Sequence, residues 1–124
     1  MHPARTIIVI AEDEELLRCT AVEGLRGAGF EVIEAGDAAE AIGVLQRHAA
    51  AICVLFTDIH MPGAIDGLAL AHYARAHWPW VGLLLASGQA RPHPHEMPEG
   101  CRFLRKPYRL GHVLSHVRDL IAAT

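Results

Sequence analysis

Short apolar runs alternate with helical stripes along this chain, and that alternation constrains its fold more than any other feature. Ile7 to Ile10, Ile52 to Phe56 and Val81 to Ala86 are uncharged and rich in branched residues, as strands buried on both faces require. Phe30 to Ala35 and Cys101 to Arg105 mix apolar residues with Glu31, Glu34, Arg102 and Arg105, which suits the less buried edges of a sheet. Between these five segments lie helical patterns. The first aligns Leu17, Ala21, Leu25 and Ala28 on one stripe, and the second aligns Ala41, Ile42, Leu45 and Ala49. Asp37 with Glu40 forms a capping-box pattern for the second helix. A third helix runs from about Gly67 to His77 behind Asp66, and a last one carries Leu110, Val113, Leu114, Val117 and Ile121. Strand followed by helix throughout predicts parallel strands, right-handed crossovers and a doubly wound α/β sheet. Between Arg91 and Gly100, Pro92, Pro94 and Pro98 limit a fourth helix to about one turn.

The 124 residues suit a single domain spanning 1–124, long enough to bury about two thirds of its unfolded surface. With 52% apolar and 20% charged residues, the composition is that of a soluble globular protein. No apolar run approaches the roughly 18 residues of a membrane span, and Met1 to Arg5 form no signal-peptide core, so a cytoplasmic protein is expected. Cys19, Cys53 and Cys101 are odd in number and show no CxxC spacing, which predicts reduced, mostly buried thiols. A formal charge of -3 without a block of Lys or Arg argues against partners such as nucleic acid or anionic lipid.

Ligands of open parallel sheets bind beyond the carboxyl ends of the strands. The residues that fall there are Glu12 and Asp13 after the first strand, Asp58 after the third, Ser87 after the fourth and Lys106 after the fifth. The second strand contributes none. Three carboxylates at one edge repel one another, and one would be driven protonated unless a cation sits among them. Hard oxygen ligands, few of them from protein, suit Mg2+ with coordination positions left for water and a phosphoryl oxygen. Lys106 and Ser87 would supply the charge and the hydroxyl that a phosphate site needs.

Together, Glu12-Asp13, Thr57-Asp58-Ile59-His60-Met61-Pro62-Gly63, Asp66-Gly67, Ser87-Gly88 and Lys106-Pro107 stand in an order and spacing that resemble the receiver domains of bacterial two-component response regulators. The resemblance spans Thr6 to Ile121 and points to the stand-alone type. It implies a flavodoxin-like sheet of order 2-1-3-4-5. It also implies that Asp58 takes a phosphoryl group from a histidine kinase or histidine phosphotransfer protein, in a role that is signalling rather than enzymatic. By the same resemblance, Asp13, Asp58 and the backbone carbonyl of His60 would bind magnesium directly, and Glu12 largely through water. Lys106 and Ser87 would hold phosphoryl oxygens, and Phe103 would follow Ser87 inward to change a surface read by a downstream protein target. The expected assembly is a monomer or a weak phosphorylation-dependent dimer. Lys106-Pro107 would be joined by a cis peptide bond, which X-Pro bonds accommodate. His60 and Gln89 occupy positions where family members tune phosphoryl lifetime. The loop from Pro62 to Gly67 is one residue longer than the commonest form, and the proline-rich segment alters the usual output face.

Other readings explain less. A flavin carrier would hold phosphate after the first strand, where Glu12-Asp13-Glu14-Glu15 would repel it. A dehalogenase-like phosphatase would need its aspartyl nucleophile after the first strand. A receiver-fold binding module that works without phosphorylation, or a receiver fragment of a hybrid kinase or longer regulator, remains as an alternative. His112 with His116, and His93 with His95, read as solvated surface rather than metal ligands. Trp78-Pro79-Trp80 reads as a helix stop with one packed and one partly exposed ring.

Overall fold

In the computed structural model, residues 5–89 and 91–123 are described; the signal-peptide reading of Met1 to Ala4 falls outside them. The chain runs β1 (Ile7–Ala11), α1 (Glu15–Gly27), β2 (Glu31–Ala35), α2 (Ala38–His48), β3 (Ile52–Asp58), α3 (Gly67–His77), β4 (Gly82–Ser87), β5 (Arg102–Arg105) and α4 (Leu110–Ala122). All strand pairings are parallel, in the order β2-β1-β3-β4-β5. This is the flavodoxin-like arrangement, with β1, β3 and β4 at its centre.

Burial explains that order. Every residue of β1, β3 and β4 is buried, whereas β2 buries only Val32 and Ala35 well and β5 only Leu104. The alternate side chains of each strand therefore feed two cores. Val9, Leu55, Leu83 and Leu85 meet Leu45 of α2 and Leu70 of α3 on one face. Ile8, Ile10, Val54 and Leu84 meet Leu25 of α1 and Val113 and Val117 of α4 on the other. Each wholly enclosed Ile or Leu contributes on the order of 2 kcal/mol.

Local signals start the helices. Asp37 Oδ1 accepts the Glu40 N–H at 2.8 Å, and the Glu40 carboxylate accepts from Gly36 at 3.2 Å, one residue before the position a full capping box would use. Asp66 caps α3 through the Ala69 N–H at 2.9 Å. Gly29, with φ of 97°, ends α1 in a conformation that favours glycine.

Several expectations need correction. Val22 completes the buried face of α1, and Ala28 is exposed. Cys19 is also exposed, because it lies on the outer side of that helix, while Cys53 is buried and Cys101 half-buried. Trp78 and Trp80 are both half-buried against the core, and the Trp80 indole donates to the Ala49 carbonyl at 2.9 Å. By contrast, the proline-rich segment is as expected, with a single 3₁₀ turn, Pro94–Glu96, anchored by buried Met97 and by His72 of α3, whose Nε2 lies 2.7 Å from the Glu96 carbonyl. No helix of the described residues is long and apolar enough to cross a membrane.

Candidate functional site

The three central strands end side by side, so their terminal residues converge. Asp58 and Ser87 are the last residues of β3 and β4 rather than the first loop residues after them, and Glu12 and Asp13 directly follow β1. Glu12 and Asp58 are only 5% and 7% exposed, while Asp13 faces solvent. Carboxylate oxygens of the three lie within 4.8 Å of one another. Lys106 follows β5, and its Nζ lies 2.7 Å from Glu12 Oε1 and 3.1 Å from Asp58 Oδ1. The lysine backbone is tied to the sheet by its N–H, which donates to the Ser87 carbonyl at 2.9 Å. The Lys106-Pro107 peptide is cis.

The net charge of the site limits what it can hold. Three carboxylates and one ammonium leave two negative charges at one sheet edge. Burial pushes the Glu12 carboxyl up despite the opposing hydrogen bond from Lys106. Burial also acts to lower the Lys106 ammonium, but its hydrogen bonds to Glu12 and Asp58 outweigh this, so the lysine stays charged. A divalent cation with a preference for hard oxygens fits this donor set and this charge deficit.

The remaining candidates are distributed around this centre. Ser87 is fully buried, and its hydroxyl accepts the Gln89 N–H at 3.0 Å. Phe103 of β5 pairs with Leu85 in register, two residues from the Ser87 pair, so Phe103 and Ser87 share a face of the sheet. Its ring is half-buried beneath the Arg91 guanidinium, 5.8 Å from the ring centroid. His60 is exposed, and its ring is not part of the acidic cluster. Gly67 touches the site most closely of all the glycines: a Cβ there would lie 1.7 Å from the Asp58 carbonyl oxygen. The Asp66-Gly67 step thus lets α3 start against the backbone at the end of β3, where the Gly67 N–H donates to the Ile59 carbonyl at 2.8 Å.

Two residues that touch the site were not singled out from sequence. Arg18 of α1 donates to the Glu12 carbonyl. Tyr108 packs its ring on Phe56 at 5.5 Å and lines a cavity of about 10 Å³ with Glu12 and Asp58. Only the shared sheet edge could have suggested Tyr108, two residues after Lys106; Arg18 carries no signal beyond its place one turn into the helix. An apolar groove of about 320 Å³, walled by Leu17, Ala21, Tyr108, Leu110 and Val113, opens beside Lys106. Of the other histidines, His93 and His95 are exposed and stacked on each other at 5.4 Å. His116 is half-buried rather than solvated, with its Nδ1 enclosed, and burial followed by the nearby Arg102 charge lowers its pKa.

The fold and the cluster define a receiver of two-component signalling, and the family described as response regulator receiver domain matches residues 8–118. The chain belongs to that family. It is 29% identical over 119 residues to the response regulator receiver protein CpdR of Brucella abortus (strain 2308), covering 94% of this chain and 97% of that protein. It is also 39% identical over 65 residues to the transcriptional regulatory protein PdtaR of Mycobacterium tuberculosis, covering 52% of this chain but 30% of that protein. Among solved structures, the receiver domain from the hybrid histidine kinase CckA superposes with a TM-score of 0.80 at 33% identity, covering 93% of this chain and 98% of that one. A response regulator receiver protein from Sinorhizobium medicae WSM419 superposes with a TM-score of 0.88 at 29% identity, covering 95% of both chains. Receiver domains are signalling proteins, and the acidic cluster of this one is compatible with magnesium.

Proposed function

We propose that residues 1–124 form one receiver domain in which Asp58 is the phosphoacceptor. The observation that carries this reading is the buried Asp58 carboxylate, in contact with Lys106 at 3.1 Å and clustered with Glu12 and Asp13. In the transfer, a carboxylate oxygen of Asp58 attacks phosphorus, the bond to the imidazole nitrogen of a donor phosphohistidine breaks, and the imidazole leaves with that bond's electron pair. The product is an aspartyl phosphate. Glu12, Asp13, Asp58 and the His60 carbonyl would hold Mg2+, which supplies charge compensation at the transferring group. Lys106 then exchanges part of its contact with Asp58 for a phosphoryl oxygen, and the Ser87 O–H donates to another. Movement of Ser87 draws Phe103 inward, which changes the surface a downstream protein reads. The donor is a histidine kinase or a histidine phosphotransfer protein, and the apolar groove beside Lys106 favours a protein donor over a bare phosphate ester.

Beryllium fluoride, which adds to a carboxylate as a phosphoryl mimic, tests the reading. At saturating Mg2+ and about a hundredfold excess over its dissociation constant, it should stabilise the protein by about 2.7 kcal/mol, a rise in Tm of about 5 °C or more. Asp58→Asn should show no rise. An unchanged wild-type Tm, confirmed by fluorine NMR showing no bound species, would count against Asp58 as acceptor.

A further inference from the structure

No carboxylate at the end of β2 joins the acidic cluster, yet β2 reaches the cluster through Arg18. The Arg18 Nη1 donates to the Glu12 carbonyl at 2.9 Å, and its Nε donates to Glu34 Oε1 of β2 at 3.0 Å. The arginine side chain is 18% exposed and its partner Glu34 42%, so the bridge between the acid loop and the strand lies at the surface. Apart from the 2.7 Å contact of Lys106 with the Glu12 carboxylate, the loop has few ties. The Glu12 N–H donates to the Ala35 carbonyl at 3.0 Å, and the Glu14 N–H donates to the Glu12 carboxylate at 3.2 Å. Glu14, the N-cap of α1, makes no side-chain capping bond. Asp13 is exposed, and among the described residues its carboxylate has no hydrogen-bond partner, so only the backbone on either side sets its position.

We propose that Arg18 is a positioning residue for the cation site. Bound to both the Glu12 carbonyl and Glu34, it fixes the backbone that presents Glu12 and Asp13 to the metal, and so acts as an outer-shell support on which metal affinity depends. The proposal rests on reading the cluster as a magnesium site. Arg18→Met keeps the length and apolar stem of the side chain but removes its donors, whereas Arg18→Lys retains the charge without the fork that bridges both partners.

Two measurements on the full chain decide the matter: Mg2+ titration by calorimetry, and amide hydrogen exchange of the metal-free protein. Arg18→Met should weaken Mg2+ binding about tenfold and speed exchange at the Glu14 amide, with Tm within about 3 °C of wild type. Arg18→Lys and Glu34→Gln should fall between. A fall in Tm with unchanged Mg2+ affinity would mark Arg18 as merely structural and overturn the proposal. Wild-type protein that binds no Mg2+ would instead overturn the reading of the cluster itself, and the two failures are thereby distinct.

Discussion

Gly67→Ala is expected to destabilise the domain by about 3 kcal/mol or more, because the added methyl meets backbone that cannot yield. Its Cβ would sit 1.7 Å from the Asp58 carbonyl oxygen and 2.9 Å from the Ile59 Cα. Asp58 ends the central strand β3, which is hydrogen-bonded to β1 and β4 on either side, and Ile59 directly follows it, its N–H donating to the Ala86 carbonyl at 2.9 Å. Relief therefore requires α3 to move away, which would break the 2.8 Å bond from the Gly67 N–H to the Ile59 carbonyl and unseat Leu70 and Ala71 from the core. In thermal denaturation the drop should be about 10 °C or more. Gly27→Ala is the control of opposite sign: nothing lies within 4 Å of its added Cβ in the last turn of α1, so it should be neutral or stabilise by about 0.5 to 1 kcal/mol. Equal melting temperatures for the two variants would refute the close approach between α3 and the end of β3.

Lys106→Ala is expected to separate phosphorylation from its consequence. The ammonium at 2.7 Å from Glu12 and 3.1 Å from Asp58 is the cation that holds these two buried carboxylates together. Removing it leaves like charges facing each other, which raises the site's demand for a counter-cation and leaves the Asp58 carboxylate in place. Acetyl phosphate should still add a phosphoryl group to Asp58 when Mg2+ is present. What should vanish is the response: in NMR spectra, resonances of Ser87 and Phe103 should shift on phosphorylation in wild type and stay in place in the variant. A normal shift in Lys106→Ala would assign the coupling elsewhere. Trp78 and Trp80 are poor reporters for this experiment, because they flank the entry to β4 at the edge of the sheet opposite the carboxylates.

The central strands and the candidate site were legible for one shared reason. A strand buried on both faces carries no charge until it reaches the edge of the sheet, so the first carboxylates after Ile10 and Phe56 and the hydroxyl after Ala86 mark that edge, while Thr57 is buried with its hydroxyl donating to the Asp58 carbonyl. The ladder itself continues further than the apolar runs do. Asp58 still pairs with Ala86, and Ser87 with Arg105, because backbone pairing is indifferent to side-chain polarity. The helical stripes were less certain guides. Ala28 fits the spacing of α1 but lies past its last buried turn, and His116 looks polar in the sequence yet turns one nitrogen inward beside β5. The tie from Arg18 to Glu34 was hidden for a different reason. It joins α1 to β2 across sixteen positions, and neither residue stands in a pattern that singles it out from other surface charges.

The most direct test of the account is the intact mass of the protein after incubation with acetyl phosphate, with and without Mg2+, for wild type and Asp58→Asn. The account predicts one added phosphoryl group on wild type only when Mg2+ is present, and none on Asp58→Asn. A phosphoryl adduct that persists on Asp58→Asn, or that forms equally well without Mg2+, would contradict it.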